Sequence, residues 1–298
     1  MGVNVPGRPL TWARASLVAN VGIVLTGALV RLTDSGLGCP RWPKCDAERW
    51  TTHQALGVHG AIEFGNRLLT YVLIAIALGT LVSVWRWSGA TPAMRRLAIA
   101  LAAGIPLQGV IGGLTVLTEL NPWLVALHLV LSMFLIAGAV VLIDQMASRP
   151  RDRASAPARL AVAGTVALTA IVVYLGTVVT GSGPHAGDAA APRNGLDPYL
   201  FSHIHAWSAY ALVAATIVCI VLLRGIARRA AWLLLAIEVG QAVIGLLQYN
   251  LGLPVALVAA HVLGAGLLVA ATSLMTVRAV AGQPRKGSAA AATNSSAR

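Results

Sequence analysis

The sequence predicts an all-α integral membrane protein, with eight transmembrane helices set out as two tandem pseudo-symmetric four-helix bundles. Three observations predict it. Of 298 residues, 57% are hydrophobic and only 11% charged, and the mean hydropathy is +0.76; a soluble chain carries about 25% charged residues. Eight apolar stretches each reach the ~20 residues that span a bilayer as a helix. A 21-residue segment also recurs in the second half of the chain.

The spans are read near 12–31, 59–85, 96–117, 123–146, 159–181, 201–223, 230–249 and 254–277. Backbone polar groups in lipid must pair within their own segment, and these runs are too long for barrel strands, so each is a helix. The first opens into "TDSGLGCPRWPKC", a loop that holds Cys39 and Cys45. The second starts with "HGAIEFGNRLL", which puts polar and charged groups at a membrane boundary. The third and fourth share "QGVIGGLTVLTELNPWLVALH", from Gln108 to His128. The fifth ends in "TGSG" (180–183), an echo of "TDSG" (33–36) after the first. The sixth opens on His203 and His205. The seventh and eighth share "QAVIGLLQYNLGLPVALVAAH", from Gln241 to His261. Ten of its 21 positions match the earlier copy without a gap, including the Gln and His at the two ends.

An even number of helices per copy keeps both copies in one orientation, so the repeats are parallel. The expected divisions are an N-terminal half over 1–147, a linker over 148–158, a C-terminal half over 159–278 and a disordered tail over 279–298.

The net charge is +12, and its placement excludes a nucleic-acid partner. With the N-terminus in the cytoplasm, 16 of the 22 basic residues fall on cytoplasmic segments. Arg31, Arg41, Lys44, Arg49, Arg67 and Arg193 fall towards the other face. The positive-inside rule therefore sets both termini in the cytoplasm. The N-terminal residues carry no cleavable-signal or transit-peptide pattern. The expected home is a bacterial plasma membrane, with lipid around every span.

All seven histidines fall away from the cytoplasmic face. His128, His205 and His261 lie within about 6–11 Å of the outer ends of their helices, at 1.5 Å per residue. A single buried His is most often a hydrogen-bonded core residue. Here two of them hold one repeat position, and the third faces the same depth. Two imidazoles on facing helices of a four-helix bundle are a means of clamping a heme iron, and His205 with His261 is the expected pair. His203 is two residues from His205 and points to another face. A proton relay would call for carboxylates spread through the membrane depth, and none is assigned there.

Cys39 and Cys45 flank "PRWPK" in an oxidising outer loop, which fits a disulfide. It reads either as a structural staple or as a redox-active pair. No second Cys pair completes a zinc site. Cys219 reads as a small buried hydrophobe. On the second helix Glu63 and Asn66 are three apart and share a face, with His59 near the same stripe.

Together, "RLTDSGLGCPRWPKC", "IEFGNRLL", "GGLTVLTELNPWLVALH", "TGSGPHAGD" and the pair His205 and His261 resemble the heme A synthase family, from Trp12 to about Arg278. The resemblance implies an oxidoreductase of two four-helix halves. It would oxidise the C8 methyl of heme O to a formyl group, giving heme A for cytochrome c oxidase. The resemblance implies a heme b on His205 and His261 in the C-terminal half. It implies substrate heme O in the N-terminal half, with His128 at its iron. Glu63 falls on the family's catalytically important acidic position. His59, Asn66 and Arg67 are then substrate-pocket candidates; Arg67 pairs with a heme propionate or anchors the helix at the interface. The reaction is expected to be water-dependent, by two hydroxylations and loss of water. Heme O synthase and cytochrome c oxidase assembly proteins are the implied protein partners.

The sequence departs from the family in two places. Many members have His where Asn66 stands, and many carry a second Cys pair in the loop "GSGPHAGDAAAPRNGLDPY", which has none here. Asn66 holds the repeat position of His205, so His128 is expected as the only protein ligand in its half. His59 would place the iron about 10 Å further along the helix. Two rival readings are weighed. A non-catalytic b-type cytochrome would carry two similar bis-His sites. A transporter of parallel repeats would need broken helices near the midplane, whereas the polar residues singled out here lie near the outer face.

Overall fold

The computed structural model describes residues 7–147 and 154–280. Linker residues 148–153 and the tail beyond 280 lie outside the described residues. Within them run eight helices: α1 (Gly7–Leu32), α2 (Gly57–Arg86), α3 (Pro92–Leu117), α4 (Pro122–Met146), α5 (Ala156–Ser182), α6 (Pro198–Leu222), α7 (Gly225–Asn250) and α8 (Val255–Val280). A 3-10 turn, Gln54–Leu56, leads into α2. All eight helices are long and apolar enough to cross a membrane, and the chain is a multi-pass membrane protein.

Several helices begin ahead of the apolar runs that predict them, and capping is the reason. Thr91 Oγ1 accepts from Met94 N at 3.2 Å, Asn121 Oδ1 from Trp123 N at 3.0 Å and Asp197 Oδ1 from Tyr199 N at 2.8 Å. A proline follows each cap, at Pro92, Pro122 and Pro198. Proline at the first helical position gives up no hydrogen bond, and its fixed φ suits the first turn.

Each half of the chain closes into a ring. α1 packs on α2 and α4, with α3 between those two; α5, α6, α7 and α8 pack in the same cyclic order. The halves meet where α1 and α4 face α8, and α4 faces α5. Val24, Met133 and Ile136 fill that seam, against Val173, Val262 and Val269. Arg278 Nε lies 3.4 Å from Asp144 Oδ1 at the end of the molecule that bears the termini. At the opposite end Arg31 donates to the carbonyls of His185 and Thr180, and Gly36 N donates to Gly187 O at 2.8 Å.

The α3–α4 and α7–α8 hairpins share their backbone bonds. Leu120 N donates to Thr115 O at 2.7 Å, and Leu253 N to Gln248 O at 2.8 Å. Leu120 and Leu253 have φ of 62° and 61°. A left-handed leucine costs about 1–2 kcal/mol; Leu120 offsets this by packing its side chain on Ala186 and Ala191. The two bonds are 133 residues apart, the spacing of the two Gln-to-His copies.

Candidate functional site

His128, His205 and His261 lie about 9–11 Å along their helices from Pro122, Pro198 and Val255, at 1.5 Å per residue. Their common depth follows from three helices that start at one face. Each ring also rests on a glycine of a neighbouring helix. A methyl group at Gly112 would come 3.3 Å from His128 Cε1, one at Gly176 3.3 Å from His205 Cε1, and one at Gly245 3.4 Å from His261 Cε1. Small residues at such contacts let membrane helices approach closely. They also leave a flat seat for an imidazole. Nδ1 of His128 and of His261 is buried without a hydrogen-bond partner.

The rings of His205 and His261 face each other across the bundle, centroids 6.3 Å apart and planes at 77°. An imidazole nitrogen binds a transition metal at about 2 Å, and the ring centre lies about 1 Å behind it, so two rings on opposite sides of one iron stand about 6 Å apart. The observed spacing fits a bis-His heme, and the orphaned nitrogen of His261 fits a ligand that is short of a partner. His203 is exposed and turned away, its Nδ1 2.8 Å from Tyr199 O.

The N-terminal half differs. Asn66, at the repeat position of His205, has its Oδ1 bonded by Thr26 Oγ1 at 2.8 Å. His59 is exposed in the first turn of α2, its Nδ1 3.0 Å from Ser35 Oγ. It belongs to the packing of the outer loop. Gly38 there lies too close to the His59–Gly60 backbone for any side chain to fit. Gln108 fixes the turn of α4 that carries His128, donating to His128 O at 3.0 Å and Ser132 Oγ at 2.5 Å.

Glu63 is 5% exposed and sits beneath the Cys39–Cys45 loop. The disulfide is formed, as expected. Cys39 N donates to Glu63 Oε2 at 2.5 Å. Arg67, one turn on, donates to Glu63 Oε1 from Nε at 3.1 Å and from Nη2 at 2.5 Å. Its remaining N–H groups bond the carbonyls of Cys39, Arg41 and Lys44 at 2.9, 2.9 and 3.1 Å. A guanidinium has five N–H groups, and every one is taken. A propionate could reach Arg67 only by displacing Glu63 or a loop carbonyl. The loop also lays the Trp42 ring on Gly113, next to the glycine that seats His128.

The sequence reading missed the three glycine seats, because one glycine in an apolar run carries no sign of what it touches. It also left the membrane interior without a carboxylate, which the structure corrects. Glu238 stands near the middle of α7, 5% exposed. The signal was in plain view, a lone acid in "LLLAIEVGQAV".

A family model described as "Cytochrome oxidase assembly protein" (COX15-CtaA) matches residues 10–273. The chain belongs to this family. The matched span takes in Glu63, Arg67, His128, His205, His261 and the disulfide loop. Three relatives named heme A synthase match between 61% and 89% of the chain. The one from Bradyrhizobium diazoefficiens is 28% identical over 86% of this chain and 87% of its own. That from Rhizorhabdus wittichii is 26% identical over 89% and 92%. That from Shewanella oneidensis is 31% identical over 61% and 58%.

Proposed function

We propose that this protein is a heme A synthase, an oxidoreductase that converts the C8 methyl of heme O to the formyl group of heme A. The observation that carries the reading is the unlikeness of its two halves. One half places two imidazoles 6.3 Å apart. The other offers His128 alone, with Asn66 bonded to Thr26 and the buried Glu63 on the same helix as Asn66. A purely electron-passing b-type cytochrome has no use for that difference. An enzyme with one resident and one exchangeable heme does.

In this reading His205 and His261 hold heme b, whose iron supplies one-electron steps when bound. His128 holds the iron of the substrate heme. Glu63 takes up protons released as the methyl is oxidised with water, a reaction whose electrons pass to an external one-electron acceptor. Arg67 keeps Glu63 in place and binds it to the disulfide loop. The heme's hydrocarbon tail allows entry from lipid. Both termini lie in the cytoplasm of a bacterial plasma membrane, where 16 of the 22 basic residues then fall. Heme O synthase supplies the substrate, and cytochrome c oxidase assembly proteins receive the product.

The test is pigment analysis. The chain is expressed with heme O synthase in a bacterium that makes no heme A, and extracted hemes are separated by chromatography. Heme A is expected. Bound heme b with heme O left unchanged would instead make the protein a b-type cytochrome.

A further inference from the structure

Glu238 is the buried acid that the proposed reaction does not use. It lies about 20 Å along α7 from Gly225 and about 18 Å from Asn250, at the depth of the bilayer midplane. Oε1 accepts from Thr216 Oγ1 at 2.7 Å, while Oε2 is buried with no hydrogen-bond partner. No cation faces it. α7 packs against α6 and α8. From α6 come Thr216 and, one turn further, the buried thiol of Cys219, which lies 3.3 Å from Thr165 Oγ1. α6 has one other ionisable group in this stretch, Tyr210, and its side chain is exposed. α8 has no ionisable residue between His261 and Arg278, and the nearest charges on α7 itself are Arg228 and Arg229 near its start. An ionisable side chain at this depth is expensive and is a functional candidate by default.

The N-terminal half shows that the fold does not need it. Subtracting 133 from Glu238, the spacing of His261 from His128, gives Ile105. Subtracting 139 from Thr216, the spacing of His205 from Asn66, gives Ala77. Ile105 and Ala77 pack in one buried cluster with Leu73. The same contact between neighbouring helices is apolar in one half and an acid–hydroxyl pair in the other. The polar version stands in the half with the two facing histidines. Glu238 is about 10 Å along α7 from Gly245, the seat of His261.

We propose that Glu238 is the proton site coupled to the C-terminal heme: its carboxylate takes up one proton as one electron arrives on the iron, and releases it as the electron leaves. This rests on the assignment of a heme to His205 and His261. The proton comes from water and the electron from a one-electron donor, so the bundle interior gains no net charge. Unbalanced charge in a low-dielectric interior is what the coupling avoids. Thr216 holds Oε1, and Cys219 and Thr165 continue the polar side chains towards the end that bears the termini.

The test is a mediated redox titration of the heme-loaded protein at several pH values. A tenfold change in proton concentration converts to 59 mV for a one-electron couple. The wild-type midpoint potential should fall with pH at a slope approaching that figure per unit, and Glu238→Gln should be markedly flatter. The slope left in Glu238→Gln measures what the propionates contribute. An equal slope in both proteins overturns the proposal. The visible spectrum separates this from failure of the heme assignment. No low-spin heme in wild type, or one that survives both His205→Ala and His261→Ala, overturns that assignment and the coupling with it. Should Glu238→Gln not accumulate, infrared reduced-minus-oxidised spectra decide. A carboxylic-acid C=O band should appear on reduction and move to higher frequency in Thr216→Val, which removes the hydroxyl that donates to Oε1. A missing band, or one that Thr216→Val leaves unmoved, sinks the idea.

Discussion

Arg67 reaches one turn back along α2 to place Nη2 2.5 Å from Glu63 Oε1, and with its other N–H groups it grips three carbonyls of the disulfide loop. The ion pair therefore joins a membrane helix to an extramembrane loop. Removing one partner of a buried pair costs about 3–5 kcal/mol when the other is left uncompensated. In Glu63→Gln the guanidinium keeps its loop carbonyls, so the cost should fall below that range. The expected outcome is a folded protein that keeps heme b and makes no heme A, with heme O or a hydroxylated form accumulating. Arg67→Lys serves as the control, because lysine cannot reproduce the fork. If both variants lose heme A while only Arg67→Lys frees the loop to proteases, Glu63 acts in the reaction. Normal heme A output in Glu63→Gln would make it structural.

The Cys39–Cys45 bond closes a short ring. Its stabilisation should be about 2 kcal/mol. The larger effect of Cys39→Ser with Cys45→Ser should be local. Cys39 N would lose its fixed position over Glu63, and Trp42 its seat on Gly113. We expect heme A output to fall several-fold with heme b retained. Mass spectrometry without reductant should find the two cysteines joined in wild type; free thiols there would exclude the staple.

His205→Ala and His261→Ala should each abolish the low-spin heme b spectrum. The glycine seats make a sharper test. A methyl at Gly176 already stands 3.3 Å from His205 Cε1, and the branches of valine would drive the ring off its position. Gly176→Val should lose heme b nearly as fully as His205→Ala, without touching a ligand. Gly245→Ala, at 3.4 Å, should keep it. A Gly176→Val protein with an unchanged spectrum would show that His205 is not held by this contact.

Asn66→His should convert the N-terminal site towards a second low-spin bis-His spectrum, since Asn is a poor ligand beside imidazole. In wild type the loaded N-terminal heme should be five-coordinate or weakly six-coordinate. Thr26, which bonds Asn66 now, sets the rotamer, so Thr26→Val should loosen substrate binding without changing heme b. Two indistinguishable low-spin hemes in wild type, one of them lost on His59→Ala, would make His59 the ligand instead.

The sequence by itself determined the eight spans, their alternation across the bilayer and the duplicated Gln-to-His hairpin. Hydropathy and short-range spacing are local properties, and bilayer thickness turns them into geometry. It also singled out His128, His205, His261 and Glu63, since polar groups in apolar runs stand out. What it left open is which way each helix turns. A membrane helix is apolar on its lipid side and on its protein side, so no amphipathic stripe marks the buried face. The glycine seats, the three bonds from Arg67 to the disulfide loop and the pairing of Glu238 with Thr216 are all contacts between different segments of the chain. Only the packed bundle decided them, because close approach of backbones in lipid depends on matching small residues across two helices at once.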